Sequence, residues 1–83
     1  MKRTRRIFTM LYCHGDATID EINKILGTEI KQQSIEEVKA AIESWVYAKV
    51  SKRIKDTDSK EFYRAIDSKM MRLTNDQIRE ALE

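Results

Sequence analysis

The chain has 83 residues, 41% of them hydrophobic and 36% charged, a length that can bury one modest core and a mix that argues against wholesale disorder. Its single cysteine, Cys13, excludes an intramolecular disulfide framework, and one neighbouring histidine, His14, cannot complete a four-ligand zinc site. The net charge is +2, and the basic start Met1 to Arg6 leads into no apolar run of signal-peptide length, because Thr9, His14 and Asp16 interrupt it. Neither export nor membrane spanning is expected, and a cytoplasmic location fits best.

Proline is absent and glycine occurs only at 15 and 27, so there is no flexible linker or low-complexity segment. Ile7, Met10 and Leu11 fall at helical spacing and predict a first helix from about Arg3 to Cys13 that stops near Gly15. Thr18-Ile19-Asp20-Glu21 is a capping box, and Ile19, Ile22, Ile25 and Leu26 carry a short second helix to Gly27. A second capping box, Ser34-Ile35-Glu36-Glu37, opens the longest periodic segment, in which Ile35, Val38, Ile42, Trp45 and Val46 form one stripe through to about Lys49. Val50 and Ile54, a polar stretch Lys55 to Lys60, and the β-favouring run Phe62-Tyr63-Arg64-Ala65-Ile66 then predict a hairpin. Thr74-Asn75-Asp76-Gln77 caps a last short helix from about Asn75 to Leu82, with Ile78 and Leu82 four apart.

Helix, short helix, turn, longer amphipathic helix and hairpin, in that order over about Arg3 to Ile66, resembles the winged helix-turn-helix family of small DNA-binding domains. The residues that carry the resemblance are Ala17-Thr18-Ile19-Asp20-Glu21-Ile22 with Leu26-Gly27, then Val38, Ile42 and Val46, then Val50-Ser51-Lys52-Arg53-Ile54 leading into the wing. It implies an α+β fold: a three-helix core, a two-stranded β-hairpin wing and a short C-terminal helix. The chain would be one domain, with a basic arm at 1–6, core and wing at 7–66, and a C-terminal extension at 67–83. The resemblance further implies a regulator of the small phage, viral or mobile-element kind, nucleoid-associated when on DNA, with the third helix in the major groove and arm and wing on phosphates.

The charges are segregated. Residues 1–6 carry +4, residues 7–48 carry −4, residues 49–72 carry +4 and residues 73–83 carry −2. Lysines and arginines on an arm and a hairpin can follow phosphates across the grooves and release counterions. Lys2, Arg3, Arg5, Arg6, Lys49, Lys52, Arg53, Lys55, Lys60 and Arg64 are the candidates, with Tyr63 against a sugar or phosphate. The third helix opens with Glu36 and Glu37, which repel a polyanion but suit a helix N-terminus. Lys31, Gln32 and Gln33, with Ser34 and Lys39 beside them, are therefore better placed to read bases.

No phosphate-binding glycine loop, no histidine pair for a metal and no apolar strand ending in a catalytic residue is present, and Cys13 and His14 as neighbours do not face one another, so neither an enzyme nor a cofactor is implied. The expected function is DNA binding by a transcriptional regulator, with Met70, Met71, Leu73, Ile78 and Leu82 offering a homodimer surface. Two alternatives compete with it: a protein-interaction module whose Glu36, Glu37 and Glu43 face docks a basic partner, and a non-specific DNA-binding replication accessory.

Overall fold

Four hydroxyl side chains set where the α-helices begin. The computed structural model describes residues 5–27 and 29–83, and within them Thr18, Ser34, Ser59 and Thr74 each accept a hydrogen bond from the backbone N–H three residues on, at 3.1 to 3.2 Å. They open α1 (Ile19–Leu26), α2 (Ile35–Ser51), α3 (Lys60–Met71) and α4 (Asn75–Leu82). Only at α4 is the reciprocal bond of a capping box complete, the Gln77 side chain accepting from the Thr74 N–H at 2.9 Å. At α2 the partner is displaced by one residue, since the Glu37 carboxylate accepts from the Gln33 N–H at 2.9 Å.

Before α1, Ile7 and Phe8 are helical and Thr9–His14 is wound as a π-helix. The wider turn ends at Gly15, whose φ of 67° is left-handed, and the Met10 carbonyl accepts from both the Gly15 and Asp16 N–H groups. Gly27, also at φ 67°, ends α1 in the same way, and the Arg79 guanidinium from α4 donates to the Leu26 carbonyl there.

α2 is the axis of the fold, packing against α3 and α4, while α4 also covers α1. Its stripe Val38, Ile42, Val46 and Val50 is buried together with Ile22 and Leu26 of α1, Phe62 of α3, Leu73, and Ile78 and Leu82 of α4. Trp45 and Ile35 are half-buried against this cluster.

The expected α+β winged helix is overturned: among the described residues there are helices and no strands. Where the wing was expected, α2 runs on to Ser51, and the Val50 carbonyl accepts from the Arg53 and Ile54 N–H groups at 2.9 Å. An Asx turn follows, with the Asp58 N–H donating to the Asp56 side chain at 3.1 Å and the Ser59 hydroxyl to the Asp56 carbonyl at 2.8 Å. Phe62 to Ile66 then lie inside α3. Phe62, Ala65, Ile66, Lys69 and Met70 recur at three and four residues, so burying Phe62 demands the helical period even though Phe, Tyr and Ile favour strands. α3 also passes straight through residue 66, where the core-and-wing segment was expected to end.

The N-terminal segment is stitched to the α3–α4 junction. The Asn75 side chain accepts from the Ile7 N–H at 2.8 Å and donates to the Arg5 carbonyl at 3.0 Å. Arg6 donates to the carbonyls of Met71 at 3.1 Å and Leu73 at 2.7 Å. No helix among the described residues is long and apolar enough to cross a membrane.

Candidate nucleic-acid interface

The ends of α2 and α3 bring three of the eight basic residues of segment 49–72 to one groove. Arg53, just past the end of α2, meets Lys69 and Arg72 at the end of α3, and Val50, Ala65, Ser68 and Gln77 complete a groove of about 420 Å³. Its lining includes no carboxylate. The one ion pair among the described residues is Arg5 with Asp16 at 3.2 Å, far from this groove in sequence, so none of the three cations is neutralised by a neighbour.

Trp45 holds the Lys69 ammonium of this groove and one further ammonium, that of Lys49. Lys49 and Lys69 each hold their Nζ 5.4 Å from the Trp45 ring centroid, which fixes long side chains that would otherwise sample many rotamers. Trp45 thus supports the core with one part of its surface and organises cations with another. Ser68 and Gln77 add neutral hydrogen-bonding groups of the kind that complement an anion.

The candidate residues expected from the sequence are dispersed over the molecule. Arg53 is in the groove; Lys52 and Lys55 are exposed on the connection beside it, and Lys60 and Arg64 are exposed on α3. Lys31, Gln32, Gln33, Ser34 and Lys39 lie at the opposite end of α2, a helix of 17 residues and hence about 25 Å long. There Ser34 is occupied as a cap, the Gln32 side-chain oxygen is buried, and the Lys39 ammonium sits 5.5 Å over the Tyr12 ring. Arg5 and Arg6, expected in a basic arm, are held by Asp16 and by the Met71 and Leu73 carbonyls; Lys2 and Arg3 lie outside the described residues.

Lys69 and Arg72 escaped the sequence-based expectation because they follow the segment assigned to the wing. The detectable signal was the Arg64, Ser68, Arg72 row at four-residue spacing, which places polar groups in line only if the segment is a helix. Tyr63, expected on a phosphate, faces away from the cations into a separate groove with Asp58 and Asp67. The proposed dimer surface is largely consumed within the monomer: Leu73, Ile78 and Leu82 are core residues, and of that set only Met71 is well exposed.

Beneath α2, Tyr12 presents a buried hydroxyl with no hydrogen-bond partner among the described residues. Burial, and secondarily the Glu43 carboxylate, pushes its phenol up to about 12. Comparison with protein-family models, curated proteins and solved structures finds no match to this chain.

Proposed function

We propose that the protein binds duplex DNA through its phosphate backbone, seating it on the basic groove between the C-terminal halves of α2 and α3, as a small DNA-binding regulator would. The observation that carries this reading is the convergence of Arg53, Lys69 and Arg72 on a groove without a carboxylate. A polyanion entering there meets fixed positive charge and loses counterions, so association is driven by their release. Lys49, oriented on Trp45, and the exposed Lys52 and Lys55 extend the positive surface beyond the groove. The base-reading candidates lie at the other end of α2, so the groove itself contributes affinity and register and not sequence choice.

The experiment is a titration of the protein into a labelled random-sequence duplex at several salt concentrations. Four phosphates neutralised by Lys49, Arg53, Lys69 and Arg72 give a slope of log affinity against log salt of about −3.6, or a loss of roughly 150-fold between 50 and 200 mM. Arg53→Ala with Arg72→Ala should bring the slope to about −1.8 and the loss to roughly 12-fold. Cations at helix C-termini also complement the helix dipole, so thermal melts of the same variants are run alongside. Absence of binding at low salt, or a slope unchanged in the double variant, rejects the reading.

A further inference from the structure

On the other flank of α3 lies a groove of opposite character. The Phe62 ring forms its floor, Tyr47 and Tyr63 pack against that ring, and Ile66 and Met70 also line an open groove of about 450 Å³, a volume within the range of roughly 300 to 1,000 Å³ typical of ligand pockets. The two tyrosine rings stand nearly perpendicular to that of Phe62, at 75° and 79°, with centroids 5.2 and 6.0 Å away. Phe62 is 1% exposed, whereas Tyr47 and Tyr63 leave 50% and 57% of their surface in solvent.

Glu43, Asp58 and Asp67 also line this groove, and no lysine or arginine does. None of the three carboxylates has a cation within ion-pair distance among the described residues, since the one such pair is Arg5 with Asp16. Uncompensated carboxylates gathered around an aromatic floor repel a phosphate backbone and attract a cation, and the tyrosine faces add a second attraction for the same charge. An apolar side chain is the natural cover for the exposed ring surface of Tyr47 and Tyr63.

We propose that this groove docks a basic segment of a partner protein, one that inserts an aromatic or long aliphatic side chain between Tyr47 and Tyr63 and sets flanking lysines or arginines against Glu43, Asp58 and Asp67. Of the acidic residues that the sequence offered for such a role, only Glu43 takes part, because Glu37 is engaged with the Gln33 N–H and Glu36 lines no part of the groove. The site lies on different residues from the basic groove and does not depend on DNA binding. A chain with both sites occupied would join nucleic acid to a basic protein.

The test is selection of a random peptide library on the immobilised full chain, in parallel with the Tyr63→Ala, Asp67→Asn double variant. Both substituted residues are exposed, and circular dichroism checks that the variant retains its helices. Enriched sequences are expected to carry lysine or arginine on either side of one large apolar residue. A synthetic peptide of that sequence should shift the amide resonances of Tyr47, Phe62, Tyr63 and Asp67, and should bind the double variant at least tenfold more weakly. No enrichment, enrichment of acidic or uncharged sequences, or shifts confined to other residues overturns the proposal. So does sedimentation showing a dimer in which a second copy already covers Tyr47 and Tyr63.

Discussion

Replacing Asn75 by alanine tests the stitch that joins the start of the chain to α4. The side chain makes two bonds with backbone groups of the N-terminal segment, at 2.8 Å from the Ile7 N–H and 3.0 Å to the Arg5 carbonyl. Ile7 is fully buried, so its N–H is left without a partner when the amide is removed. Two bonds at a net 0.5 to 1.5 kcal/mol each, with a desolvated donor among the losses, give a destabilisation of about 2 to 3 kcal/mol. A domain of this length has roughly 4 to 12 kcal/mol in total, so the melting temperature should fall by roughly 10 to 20 °C. Urea denaturation measures the loss, and hydrogen exchange locates it, with protection lost first at the Ile7 amide. Asn75→Asp keeps the acceptor for Ile7 and loses the donor to Arg5, and should retain about half of the stabilisation. A variant Asn75→Ala within about 0.5 kcal/mol of the parent, with the Ile7 amide still protected, would refute the assignment.

Further outcomes follow from individual contacts. Ser59→Ala removes the cap of α3 and should cost about 1 kcal/mol in urea denaturation, whereas Phe62→Ala, which empties a fully buried site, should cost about 3 to 5 kcal/mol. Gly27→Ala meets no atom within 4 Å but must adopt a φ of 67°, so a loss of about 1 to 2 kcal/mol is expected from backbone strain alone, and Gly27→Asn should lose less. Ultraviolet titration should find one tyrosine ionising near 12, and Tyr12→Phe should abolish that late step. Because the folded state then holds the Tyr12 proton when the unfolded chain has released it, stability is unaffected below pH 10 and falls from there to about pH 12.

Three of the four α-helix starts were legible because Thr18, Ser34 and Thr74 are each followed three residues later by Glu or Gln. Ser59 escaped because Phe62 stands at that position, so its cap lacks the reciprocal partner that makes the pattern recognisable. Phe62, Tyr63 and Ile66 favour strands locally, and only the fit of Phe62, Ala65 and Ile66 against the α2 stripe selects the helix. Of the basic groove, Arg53 could be found from charge clustering alone. Lys69 and Arg72 join it through the packing of α3 on α2; the four-residue spacing of Arg64, Ser68 and Arg72 hints at a shared helix face but not at what that face meets. Arg5 and Arg6 belonged to a charge cluster in the sequence, yet the carbonyls at the end of α3 and the Asp16 carboxylate claim them.

The stitch at Asn75 and Arg6 also has a temporal side. It closes contacts between residues 65 to 70 positions apart, while each helix forms from neighbours three or four apart. Loop closure costs entropy that rises by about 0.6 kcal/mol for each doubling of length, so these contacts are expected to close after the local helices have formed. A growing chain cannot offer Arg6 its acceptors until Met71 and Leu73 have emerged. Weakening the stitch should therefore leave the folding rate nearly unchanged and speed unfolding, which makes this seam the governor of how long the native state lasts and not of how quickly it is reached.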